Sequence, residues 1–103
     1  MIIFIKKDAF FRIKSRNKTL ETRKYSGIFK KIKIDNNITF VNNNNKINAN
    51  ICNINIFDNI NLLISNLDIS KVGVASTEFY LILLQKCYSN FNGKLITFEF
   101  KLI

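Results

Sequence analysis

The sequence predicts an α+β domain of about five or six strands with two or three short helices, and three observations carry that reading. Ile96, Phe98, Phe100 and Leu102 alternate with Thr97, Glu99 and Lys101, the period of a half-buried strand. Phe79, Ile82, Leu83 and Cys87 recur at helical spacing behind Ser76, which can cap the helix, and Glu78 lies near the positive end of its dipole. The 103 residues are 48% hydrophobic and include 10 Phe, enough for one core and too few for separate catalytic and binding domains. Residues 1–103 are therefore read as a single domain.

The elements follow in order. Ile2 to Ile5 reads as a short, fully buried strand. Asp8 can cap a short helix that buries Phe10, Phe11 and Ile13 and projects Arg12, Lys14 and Arg16 outward. From Lys18 to Arg23 an extended segment turns Thr19, Glu21 and Arg23 to one face and Leu20 to the other. Tyr25-Ser-Gly27 is a turn signal, after which Ile28, Ile32, Ile34, Ile38 and Phe40 support one or two strands separated near Asp35-Asn-Asn37. Ile47, Ala49 and Ile51 share one parity and Ile54 and Ile56 the other, which one long strand accommodates through a bulge near Cys52. Asn59 to Asn66 forms a short capped helix through Ile60, Leu63 and Ile64. A longer one, Thr77 to Lys86, packs on the last strand through Phe79, Ile82 and Leu83.

Ile, Asn, Lys and Phe dominate, and their codons are written almost wholly in A and T, so the composition points to an AT-rich genome. Asn42 to Asn45 then reads as drift in a solvated loop. The chain has no His, hence no imidazole base and no ordinary zinc or haem ligand, and neither a metal nor a cofactor is expected. Cys52 and Cys87 lack Cys-x-x-Cys spacing and read as free, buried thiols in a reducing compartment. Lys6 and Lys7 interrupt the apolar start far short of the ~20 residues that span a bilayer, so no membrane role and a cytoplasmic location are expected.

Charge is segregated. Eleven of the 16 Lys and Arg but only Asp8 and Glu21 of the 7 acids fall in residues 1–34, and the rest of the chain balances five against five. Composition bias would scatter lysines evenly, whereas a basic segment suits a polyanionic partner such as nucleic acid.

At Ile13-Lys-Ser-Arg-Asn-Lys-Thr-Leu-Glu-Thr-Arg23 the chain resembles the ASCH domain family, whose signature runs Lys-Thr-x-Glu-x-Arg; Lys18, Thr19, Glu21 and Arg23 match it position by position. The similarity continues at Phe29 to Ile34 with Ile38-Thr-Phe40, at Ser76-Thr-Glu-Phe-Tyr80 with Tyr88-Ser89, and at Leu95 to Phe100. Arg16-Asn17 stands where the family carries a glycine, and Asp35-Asn36 where it carries Gly-Asp. Asn tolerates left-handed backbone angles better than most residues, so the fold assignment survives both changes. The resemblance implies a PUA-like β-barrel with a cleft beside the signature and a role in RNA metabolism or translation.

Lys18, Glu21 and Arg23 alternate cation, anion and cation: Arg offers a planar fork for phosphate, Lys a point charge, and Glu an acceptor for a base's amino group. With Arg12, Lys14 and Thr19, and with Tyr25 as a stacking surface, they form the expected binding set for RNA or a nucleotide-like ligand. Some ASCH relatives resemble amidohydrolases of acetylated cytidine and others are described as ribonucleases. Lys18 matches the amidohydrolase lysine, but Glu21 falls where that type has its threonine nucleophile. Lys18 and Glu21 therefore remain candidates for metal-independent acid–base catalysis. A binding module is the leading reading, with a small hydrolase and a protein-interaction module as alternatives. Arg23→Ala is expected to weaken ligand binding by roughly 1.5–3 kcal/mol and to change folding stability less.

Overall fold

In the computed structural model, which describes residues 1–103, the long strand β4 (Asn45–Phe57) is the spine of one sheet. It pairs antiparallel with β3 (Asn37–Asn42) on one side and with β5 (Leu95–Leu102) on the other. β1 (Ile2–Phe4) adds parallel to β3 and β2 (Leu20–Lys24) antiparallel to β5, giving the order β1-β3-β4-β5-β2. The sheet curls into a half-barrel whose two edge strands, β1 and β2, share no ladder. Three α-helices complete the α+β fold: α1 (Lys7–Lys14), α2 (Ile60–Ser65) and α3 (Thr77–Tyr88).

The expected bulge is present: Ile51 pairs with Phe100 and Asn53 with Glu99, leaving Cys52 as the extra residue. It switches the inward parity from Ala49 and Ile51 to Ile54, so one strand serves both halves of the curl. Inside the curl Ile3, Ile38, Phe40, Ile51, Ile96, Phe98 and Phe100 pack together, and Phe10 and Ile13 of α1 plug one end. On the outer face Leu20 and Leu95 meet Leu63, Val72, Tyr80 and Leu84. Truncating a fully buried Phe such as Phe98 to Ala removes transfer energy and leaves a cavity, about 3–5 kcal/mol together.

Several expectations change. β1 buries only Ile3, while Ile2 and Phe4 are exposed, because β1 is an edge strand with one face on the core. Asp8 sits inside the first turn of α1; Lys6 is the cap position and makes no side-chain capping bond, and Phe11 points to solvent. Residues Gly27–Lys30 form a 3-10 turn, and only the later part of the isoleucine-rich stretch, from Asn37, is strand. The Asn run is a two-residue hairpin turn with Asn43 at φ 53°, a left-handed angle that Asn adopts readily. α3 turns Tyr80 and Leu84 inward and leaves Phe79 and Ile82 exposed, about a quarter-turn away from the expected face. β5 is buried on both sides from Leu95 to Phe98, because the helices cover its outer face there. Cys87 is exposed and Cys52 half-buried, and both are free.

Candidate functional site

The residues that follow α1 set the geometry of the signature. Arg16 takes φ 67°, and Arg16 N–H donates to the Ile13 carbonyl while Asn17 N–H donates to that of Arg12, the paired bonds of a Schellman cap. Lys18 N–H also donates to the Arg12 carbonyl, at 3.0 Å, which folds the chain back and delivers the Lys18 side chain inward. Asp35 likewise takes φ 73°. The left-handed angles thus fall on Arg16 and Asp35, not on the neighbouring Asn residues, at the two places where the ASCH family carries glycine.

Lys18 and Glu21 are buried, at 4% and 8% exposure. Lys18 Nζ lies 3.6 Å from Glu21 Oε1, and Arg23 Nη2 lies 3.5 Å from Glu21 Oε2. Thr22 N–H donates to Glu21 Oε1 at 2.9 Å, which fixes the carboxylate between its two cations. Burial, aided by the charges of Arg12 and Arg23, holds the Lys18 ammonium below the usual lysine range, with Glu21 opposing the shift. Arg12 has no carboxylate partner, and its Nε is buried without a hydrogen bond.

These groups line a cleft of about 670 Å³ between the end of β1, α1, β2 and α3. Four cations (Lys6, Arg12, Lys18, Arg23) face two acids (Asp8, Glu21) there, and Phe4, Phe79 and Leu83 supply apolar wall. The α3 side carries two phenols. Tyr80 and Thr22 share a hydrogen bond between their hydroxyls at 2.7 Å, and Tyr88 O–H donates to the Thr22 carbonyl at 3.1 Å. Burial pushes the Tyr80 phenol well above its ordinary value and that of Tyr88 up to about 12, so both stay protonated. No three Cys, Asp or Glu side chains gather as a metal site.

The fold therefore unites Arg12, Lys18, Glu21 and Arg23, as the sequence suggests, and leaves three named residues outside. Lys14 is solvent-exposed on α1. Thr19 is held at the strand entrance, its N–H donating to the Lys71 carbonyl and its carbonyl accepting from Phe100 N–H. Tyr25 packs on the main core with Lys30 Nζ 5.8 Å from its ring centroid. Thr22, Tyr80 and Tyr88 are site residues that sequence reasoning did not select. Tyr80, Leu84 and Tyr88 stand four residues apart, a stripe visible in the sequence that the neighbouring Phe79 and Ile82 obscured.

No family model matches the sequence, and no curated protein matches it significantly. Solved structures do match its fold. The crystal structure of hypothetical protein PH0355 superposes with TM-score 0.84 at 20% identity, over 99% of this chain and 97% of that one. The solution structure of protein PF0455 from Pyrococcus furiosus gives 0.72 at 19%, over 99% and 96%. ASCH from Zymomonas mobilis gives 0.70 at 16%, over 97% of this chain and 65% of that protein. The chain thus has the fold of an ASCH-type module. The architecture implied by Lys18, Thr19, Glu21 and Arg23 is the one observed.

Proposed function

We propose that the protein is a single-domain module that binds RNA or a nucleotide-like ligand in this cleft. One observation carries the reading: the cleft gathers Lys6, Arg12, Lys18 and Arg23 against two carboxylates, Asp8 and Glu21, and Arg12 pairs with neither, so a concave site of nucleotide size holds uncompensated positive charge. An anionic group such as phosphate meets that excess, with guanidinium forks as its natural partners. Glu21 accepts from a base's amino group, and the aromatic wall stacks a ring. The cytoplasm is the proposed location, because Cys52 and Cys87 are unpaired; no helix is long and apolar enough to cross a membrane.

Titration calorimetry with a nucleoside, its 5′-monophosphate and a short single-stranded RNA over a salt series tests this. Phosphorylated ligands are expected to bind more tightly than the nucleoside, and RNA affinity to fall with a log–log salt slope of about −0.7 per contacted phosphate. Salt-independent binding, or binding unaltered by Arg12→Gln, would overturn it.

The depressed, buried amine of Lys18 beside Glu21 supports a second reading, a metal-independent hydrolase of the same ligand class. Thr22 does not serve as nucleophile in it, since its hydroxyl is engaged by Tyr80. Glu21→Gln keeps an acceptor but loses the charge. Normal binding with abolished turnover of an RNA or acetylated nucleoside would favour the hydrolase.

A further inference from the structure

A second groove, of about 560 Å³, lies beyond the C-terminal turn of α3, between the start of α2 and the loop at Phe91 to Gly93. Tyr88 lines both this groove and the charged cleft. Its hydroxyl is tied to the Thr22 carbonyl, so the ring is a fixed partition between the two hollows. The new groove differs in chemistry from the cleft. Asn59 uses its carbonyl oxygen to cap α2, but its amide nitrogen and the side chains of Asn61, Gln85 and Asn92 have no partner within the protein. Side-chain amides offer a donor and an acceptor together, which matches the edges of nucleobases. An aromatic ring, Phe91, lies among them, and Lys24 Nζ sits 5.1 Å from its centroid. Lys24 belongs to the basic first third of the chain yet stands outside the charged cleft, so the cleft alone does not account for it.

We infer that this groove is a second nucleotide subsite: a single-stranded RNA segment seated in the charged cleft continues past Tyr88 and places its next base against Phe91 and the free amides. The inference rests on the nucleotide reading of the first cleft and extends it from a lone nucleotide to a strand. Lys24 and the exposed Lys94 supply the cations beside the continuing backbone, while Asp58, 3.6 Å from Lys94, is the one acid at the rim.

Fluorescence competition with adenosine 5′-monophosphate and with 5′-phosphorylated oligoadenylates of increasing length tests the extension. A trinucleotide is expected to bind at least about tenfold more tightly than the mononucleotide, the scale of one added stacking contact. Gln85→Ala with Asn92→Ala, both solvent-exposed and safe for folding, is expected to remove most of that gain and to leave mononucleotide affinity unchanged. Equal affinity for one and three nucleotides, or a double variant that weakens both alike, overturns the second subsite while the cleft reading stands. Failure of both ligands to bind overturns the cleft reading and this inference with it.

Discussion

Arg23 on β2 donates through Nη2 to the carbonyl oxygen of Phe4 on β1, at 3.0 Å, and so bridges the seam that no strand ladder closes. Its guanidinium also stands 5.6 Å from the Phe29 ring centroid. The residue is a staple as well as part of the proposed binding set, which alters the expectation drawn from sequence.

Arg23→Ala is accordingly expected to lower folding stability by about 1–2 kcal/mol, comparable with its effect on binding and no longer smaller. Urea unfolding measures the loss, and amide exchange is expected to quicken in β1 before β4. Unchanged stability with unchanged exchange would mean that other contacts hold the seam.

Lys18 predicts a pH dependence with a definite sign. Its native pKa lies below the 10.5 of the unfolded chain, so between those values the unfolded chain binds more protons, and stability rises with pH through that window. Lys18→Met is expected to flatten the rise, read as urea midpoints from pH 7 to 10. A parallel slope in wild type and variant would rule out Lys18 as its source.

The phenols act in the opposite direction. Their native pKa values are raised, so their contribution is complete below the unfolded value of 10.0 and is lost as pH climbs toward the value of about 12 for Tyr88. Tyr80→Phe is expected to cost about 1–2 kcal/mol at neutral pH, because it leaves the buried Thr22 hydroxyl without its partner. Thr22→Val in that background should cost little more, a double-mutant cycle that additive losses would contradict.

Arg16 and Asp35 hold left-handed angles, φ 67° and 73°, which carry a penalty for residues with a Cβ. Arg16→Gly is expected to stabilise by about 0.5–1 kcal/mol, a few degrees of Tm, and Asp35→Gly by less, since Asp tolerates this region. Thermal melts of both variants check it, and a lowered Tm for Arg16→Gly would show that its side chain matters more than its backbone.

Sequence periodicity located β4 and its bulge, β5 and all three helices, because each carries a clear apolar period. It misjudged faces where burial is decided by distant partners. α3 offers two apolar stripes, and only the arrival of Leu20 and Leu95 selects the one with Tyr80 and Leu84. The charged part of the site was legible because Lys18, Glu21 and Arg23 lie within one short segment. Tyr80 and Tyr88 were not, since they reach Thr22 from the far side of the chain. The basic third was legible as charge but not as geometry: Lys6, Arg12, Lys18 and Arg23 enter the cleft, and the other basic residues of that segment stay outside it.

The pairing of β2 has a consequence for the order in which the protein is made. Leu20 pairs with Glu99 and Lys24 with Leu95, and β2 has no other strand neighbour. During synthesis the segment with Lys18, Glu21 and Arg23 emerges early and must wait, unpaired, until β5 leaves the ribosome. Closing so long a loop slows folding, and the charged cleft takes shape only once β5 is available to pair with β2. A nascent chain stalled before β5 would therefore display its basic segment without a cleft to shape it, and translation itself separates the arrival of the charge from the arrival of its geometry.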